Sequence, residues 1–280
     1  MLISTAELAT HREDATWVIF DCRHDLVDHG KGEKLYRENH IPGALFAPVE
    51  TALAGVKSGA NGRHPLPSPA AFAEFLARHG VSPTSTVVAY DDAGGLYAAR
   101  LWWLARWIGL PNVALLDGGW SKWLAESRPV TPIVPQPKPV AGWRADVKPG
   151  QVWSADDVLG HLGDPAYALI DARAGERYRG EVEPMDPVAG HIPGAVNRFY
   201  KANLKGDLTF RPAGELKEEF RALLGPRSTA AIGHQCGSGI TACANIFAME
   251  YAGLPGSKLY AGSWSEWVAD PSRPVVTTAR

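Results

Sequence analysis

The sequence predicts an α/β protein built as a tandem pair, each half a mainly parallel sheet flanked by helices. Three observations carry this. Short β-branched runs such as Trp17-Val18-Ile19-Phe20 and Thr86-Val87-Val88-Ala89-Tyr90 alternate with helical stretches such as Phe72 to His79 and Tyr97 to Ile108, the signature of β–α units. The strand runs are almost wholly apolar, as strands covered on both faces must be. The chain also repeats itself, and repeats are best sought before any element is assigned.

Taken in order, Ser4-Thr5-Ala6-Glu7-Leu8 matches Ser154-Ala155-Asp156-Asp157-Val158, and Phe20-Asp21-Cys22-Arg23 matches Ile170-Asp171-Ala172-Arg173, both at a shift of 150. His40-Ile41-Pro42-Gly43-Ala44 returns as His191-Ile192-Pro193-Gly194-Ala195. Gly109-Leu110-Pro111 returns as Gly253-Leu254-Pro255, and Gly118-Gly119-Trp120-Ser121-Lys122-Trp123 as Gly262-Ser263-Trp264-Ser265-Glu266-Trp267, now at a shift of 144. Glycine and proline at such places meet backbone demands, and Asp21, Arg23, Asp171 and Arg173 read as ion-pair partners that stabilise the fold. Between the halves, prolines at 129, 132, 135, 137 and 139 favour extended chain. The expected organisation is therefore a first domain over 1–127, a Pro-rich linker over 128–142 and a second domain over 143–280.

Composition narrows the function classes. A chain of 280 residues can bury two cores, and 45% apolar with 21% charged residues is a globular balance. A net charge of −2 gives no electrostatic case for nucleic acid or an anionic membrane as partner. Three cysteines, Cys22, Cys236 and Cys243, form neither an even framework nor a CxxC pair, which argues against structural disulfides and zinc and for a reducing compartment. No N-terminal leader pattern or membrane-length apolar segment is evident, so a cytoplasmic location is expected. Neither cofactor nor metal is expected.

The chemistry concentrates at His234-Gln235-Cys236-Gly237-Ser238-Gly239-Ile240-Thr241-Ala242. Thr229 to Gly233 reads as a short buried strand and Ala242 to Ala252 as a helix, so Cys236 falls where strand becomes helix. Backbone N–H groups not yet used by a helix can converge there on an anion, and a sulfur held this way is favoured as the nucleophilic thiolate. Gly237 and Gly239 permit close backbone approach, while Ser238 and Thr241 add hydroxyls. Cysteine phosphatases use a similar loop but end it with an arginine six residues on that grips phosphate; position 242 is alanine. At a shift of 144, Cys236 falls on Asp92, so the first half lacks the nucleophile and reads as a scaffold.

The Cys-Gly-Ser-Gly-Ile-Thr-Ala run, together with both Asp-x-Arg, His-Ile-Pro-Gly-Ala and Gly-x-Trp motifs, resembles the two-domain rhodanese superfamily, and within it the 3-mercaptopyruvate sulfurtransferases. The resemblance spans nearly the whole chain and implies tandem rhodanese-like domains with catalysis in the second. It implies transfer of sulfane sulfur from 3-mercaptopyruvate through a Cys236 persulfide to cyanide, a thiol or thioredoxin. Thiosulfate is the alternative donor, and a noncatalytic persulfide carrier the alternative of another class. Catalytic residues implied with Cys236 are Ser238, His64 in Gly62-Arg63-His64-Pro65-Leu66-Pro67, and Glu50 at the acidic position. Substrate contacts fall to Gly237, Gly239, Ile240 and Thr241 of the loop and to Arg177, with Arg179 nearby. A second arginine is expected near Glu183-Pro184-Met185-Asp186, where Met185 stands instead.

Overall fold

The computed structural model describes residues 1–278. They form two compact units: one of residues 1–55, 66–148 and 204–210, the other of 56–65, 149–203 and 211 onward.

In the first unit the strands are β1 (Leu2–Ile3), β2 (Trp17–Asp21), β3 (Leu45–Phe46), β4 (Thr86–Tyr90) and β5 (Val113–Leu116), in the order β1-β5-β4-β2-β3. Every pairing is parallel, and the helices between them are α1 (Thr5–His11), α2 (Lys31–Glu38), α3 (Pro69–Arg78), α4 (Ala98–Trp107) and α5 (Gly119–Ala125). Local chemistry sets their ends. Ser4 accepts the Glu7 N–H at the start of α1, and Ser68 followed by Pro69 opens α3. One core cluster packs Ile19, Val88 and Leu116 of the sheet against Leu8, Trp120 and Trp123 of α1 and α5.

The second unit repeats the plan. Its strands β6 (Val152–Trp153), β7 (Ala168–Asp171), β8 (Val196–Asn197), β9 (Ile232–Gln235) and β10 (Lys258–Tyr260) take the order β6-β10-β9-β7-β8, again all parallel. Its helices are α6 (Ala155–Gly160), α7 (Gly175–Arg179), α8 (Ala213–Leu224), α9 (Thr241–Tyr251) and α10 (Ser263–Trp267). Trp264 and Trp267 are fully buried beside Leu169 and Ile192. Each such indole contributes on the order of 4–6 kcal/mol of gross transfer energy.

The repeated motifs are structural pairs, and each does the same work twice. Arg23 grips Asp21 in one unit and Arg173 grips Asp171 in the other, both at 2.7 Å and buried. The same guanidinium groups donate to Asn39 O and Gly190 O and lie over Trp120 and Trp264. His40 and His191 each bond through Nδ1 to the carbonyl of the tyrosine they stack on, Tyr36 and Tyr178, at 2.7 Å. Gly43 and Gly194 take φ of +87° and +77°, which the turn after each Ile-Pro requires.

Three expectations shift. The strand ahead of the cysteine begins at Ile232, because Ser228 caps a 3₁₀ turn over Thr229–Ala231. The Pro-rich stretch carries neither helix nor strand, and it is bonded along the first unit. Thr131 exchanges backbone bonds with His40, Val140 N–H donates to Ala77 O, and Trp143 Nε1 donates to Val81 O. Proline forbids helix there, while the non-proline amides still find acceptors. Lastly, the position equivalent to Cys236 is Asp91 and not Asp92. Asp21 pairs with Tyr90 where Asp171 pairs with Gln235, and Trp120 N–H reaches Asp91 O where Trp264 N–H reaches Cys236 O. The first half carries one extra residue within this loop, so the offset changes inside it.

His234 on β9 is fully buried, and among the described residues neither ring nitrogen has a hydrogen-bond partner. Burial pushes its pKa down from 6.5 to about 3, so it is neutral in the fold and protonated in the unfolded chain between those values. Its stabilising effect is thus complete above the unfolded pKa and is lost as pH falls, at up to about 1.4 kcal/mol per pH unit. Urea melts of wild type and His234→Leu between about pH 7.5 and 5 should show a shallower acid loss in the variant. Parallel slopes would contradict a buried neutral ring.

Candidate active site

The turn leaving β9 carries Cys236, 2% exposed, beyond the carboxyl end of a central strand, where open parallel sheets place their ligands. Gly239 N–H points at Cys236 Sγ from 3.1 Å, and an N–H so aimed stabilises negative charge on the sulfur. Gly239 has φ +81°, and a Cβ there would run into the backbone of Ala261. Ile240 is buried just before α9, and Thr241 is its first residue. Ser263, itself at φ +54°, accepts the Cys236 N–H at 3.1 Å and donates to Tyr260 O, pinning the strand end to α10.

The first unit shows what the same turn does without a cysteine. Asp91 folds its carboxylate back into the loop and accepts four backbone N–H groups, from Ala93, Gly95, Tyr97 and Ala98, at 2.7–2.9 Å. Burial pushes its carboxyl up, and these four donors pull it back.

Ser238 and His64 come together as the sequence suggested: Ser238 Oγ and His64 Nδ1 are 2.7 Å apart, both residues buried. His64 belongs to the second unit despite its early position, because residues 56–65 pack there. Arg63 N–H donates to Ser265 Oγ, and Gly62 lies so close to Gly262 that no side chain fits between them. Glu50, expected behind His64, lies in the first unit, 3.7 Å from His24 Nε2 and 3.9 Å from His29 Nδ1. Among the described residues these three form the one group spaced to hold a metal ion, with ligand atoms within 4.8 Å of one another.

Arg177 on α7 faces the loop. A Cβ on Gly237 would sit 3.6 and 3.7 Å from its terminal nitrogens. Its guanidinium is held by Glu183 at 2.6 Å and Asp186 at 3.4 Å. Arg179, two residues on, instead makes a two-pronged pair with Glu181 at 2.8 Å, since residues two apart on a helix diverge. Met185 is 38% exposed, and its N–H donates to Glu183. Sequence reading passed over Arg63, Glu183 and Asp186. Arg63 pairs with Asp186, 123 residues away, and the only local sign was that it adjoins His64.

The family of rhodanese-like domains matches the chain twice, over residues 4–126 and 154–270. A probable 3-mercaptopyruvate sulfurtransferase of Pseudomonas aeruginosa is 45% identical over 278 residues, covering 99% of this chain and 98% of that protein. A putative thiosulfate sulfurtransferase of Mycobacterium tuberculosis is 37% identical, covering 98% of this chain and 96% of that protein. The solved 3-mercaptopyruvate sulfurtransferase of Leishmania major superposes with a TM-score of 0.83 at 29% identity, covering 95% of this chain and 74% of that one. Two parallel sheets of one strand order, with a cysteine turn on the second, define an α/β tandem enzyme of the sulfurtransferase class. The chain belongs to the rhodanese-like family.

Gly239→Ala should unseat the loop, since both the positive φ and the contact with Ala261 oppose a side chain. A stability loss of about 1–3 kcal/mol is expected, with activity falling further than stability explains. Thermal melts beside initial rates check this.

Proposed function

We propose that the chain transfers sulfane sulfur from 3-mercaptopyruvate, through a persulfide on Cys236, to cyanide or a thiol such as that of thioredoxin. The observation that carries this reading is the Ser238–His64 contact at 2.7 Å two residues beyond the cysteine. The donor is a thiol, HS–CH₂–CO–COO⁻, and its cleavage needs a proton moved. The Cys236 thiolate attacks the donor sulfur, the C–S bond breaks, and its electron pair passes to carbon as the enolate of pyruvate. The thiol proton leaves through Ser238 and His64, and a proton returned to that carbon completes pyruvate. The acceptor then attacks the outer sulfur of the persulfide and regenerates the Cys236 thiolate. Arg177 suits the donor carboxylate, and the N–H groups of the loop suit the anionic sulfur.

In this reading the relay is the Ser238–His64 pair with Glu50 as its proposed acidic member. Arg179, engaged by Glu181, lies outside the donor contacts. Thiosulfate is the second donor, favoured by the likeness to the mycobacterial protein and by the fit of a guanidinium to a sulfonate-like group. Three cysteines without a disulfide fit a reducing, cytoplasmic setting. Among the described residues no helix is long and apolar enough to cross a membrane.

Incubation with donor and no acceptor should add one sulfur atom per chain, removable by cyanide, by intact mass. Cys236→Ser should abolish the gain; a gain that instead depends on Cys22 or Cys243 would refute the assignment.

Ser238→Ala and His64→Ala should lower kcat with 3-mercaptopyruvate by about 10²- to 10⁴-fold and spare thiosulfate, whose departing sulfite needs no proton at carbon. Equal losses with the two donors would mean that both residues only position the loop.

A further inference from the structure

Two histidines of the first unit take no part in sulfur transfer, and both face Glu50. His24 and His29 lie on the loop between β2 and α2, and Glu50 follows β3. Glu50 Oε1 is 3.7 Å from His24 Nε2, its Oε2 is 3.9 Å from His29 Nδ1, and the three ligand atoms all lie within 4.8 Å of one another. Both printed separations are longer than a hydrogen bond. They are close to the spacing of about 3.4 Å that ligand atoms keep when each stands about 2.0–2.1 Å from one tetrahedral ion.

We infer that His24 Nε2, His29 Nδ1 and the Glu50 carboxylate form a binding site for a divalent transition-metal ion of the zinc type. His29 already presents the tautomer that a ligand needs. Its Nε2 is 3.3 Å from Leu26 O, a carbonyl that can only accept, so in the neutral ring the proton sits on Nε2 and the lone pair of Nδ1 is turned to Glu50. Ligating histidines characteristically commit their second ring nitrogen to such an acceptor. The His24 ring, 3% exposed, stands edge-on to Tyr97 with centroids 5.1 Å apart.

The loop that carries the two histidines is held by its own contacts. Asp25 accepts the N–H groups of Val27 and Asp28 and pairs with Lys31, while Asp28 accepts the Gly30 N–H. Gly32 packs so tightly on the backbone of Arg23 and His24 that no side chain fits there, which seats His24 against α2. The donor set selects the ion. Two imidazoles and a carboxylate suit Zn²⁺, Co²⁺, Ni²⁺ and Cu²⁺, whereas Mg²⁺ and Ca²⁺ favour sites made of oxygen alone. None of the three cysteines contributes, so cysteine spacing gave no sign of the site. His29 is 52% exposed beside a cavity of about 470 Å³ that Glu33, Thr51 and His79 also line, which leaves a coordination position open to water. The inference goes beyond sulfur transfer and stands or falls on binding, whichever role Glu50 has in turnover.

The test titrates the full chain with Co²⁺ and then Zn²⁺ in the Cys236→Ser background, so that the thiol of the sulfur site cannot serve as ligand. One Co²⁺ per chain should bind, with visible d–d absorption and no sulfur-to-metal charge-transfer band. Zn²⁺ should displace it, and Mg²⁺ or Ca²⁺ in large excess should not. His29→Ala, Glu50→Gln and His24→Gln should each weaken Zn²⁺ binding by more than about 10-fold, the least that loss of even a ligand's supporting partner costs. The metal-free Tm of His29→Ala should match that of the parent, so weakened binding there reports a lost ligand and not a lost fold. Absence of saturable binding overturns the site, as does Zn²⁺ affinity unchanged in His29→Ala or Glu50→Gln. Charge-transfer absorption would put the metal on Cys22 or Cys243, and displacement by Mg²⁺ or Ca²⁺ would mark an oxygen-only site; either result also overturns it.

Discussion

The second unit depends on one buried ion pair. Arg173 holds Asp171 at the carboxyl end of β7, and the same guanidinium also binds Gly190 O and Glu183 and lies over Trp264. Removing one partner of such a pair leaves an uncompensated buried charge, typically at a cost of about 3–5 kcal/mol. Its consequence for function is positional. Glu183, held by Arg173, takes Arg177 and the N–H groups of Met185 and Asp186, and Asp186 takes Arg63. The cationic face over Gly237 is therefore the outer end of a chain of contacts that begins in the core.

The sulfur site combines groups of quite different origin along the chain. The nucleophile and Ser238 come from the β9–α9 turn, Arg177 from α7, and Arg63 with His64 from a segment some 170 residues earlier that packs into the same unit. This division separates tasks. The turn fixes Cys236 and Ser238 by backbone geometry, while His64 and the guanidinium groups of Arg63 and Arg177 reach it on side chains from other segments.

Much of this was legible in the sequence, because local chemistry and repetition both leave marks. Alternating apolar runs marked the strands, and the two copies of Asp-x-Arg and His-Ile-Pro-Gly-Ala marked the ion pairs and turns that now superimpose in role. Cys236 was readable from its glycine-flanked place between strand and helix, whereas Ser238 and His64 were implied only by the resemblance to the mercaptopyruvate sulfurtransferases. What stayed hidden depends on distance in sequence: the Arg63–Asp186 pair, the Ser263 hydroxyl under the Cys236 N–H, and the placing of Glu50 beside His24 and His29. No periodicity encodes a side-chain contact between separate elements, whether they lie a few turns of chain apart or more than a hundred residues. The single-residue error at Asp91 had a different cause, an insertion within the very loop being compared.

That insertion gives the duplication a direction. In the first unit the turn is closed on its own carboxylate, which satisfies four backbone N–H groups that would otherwise face a ligand. Changing Asp91 to cysteine would strand those donors and still leave the loop one residue too long to match its twin. The two turns therefore differ by a substitution and by a length change together. The asymmetry of the two halves thus lies in the backbone of the turn as much as in the identity of the one residue that replaces the cysteine.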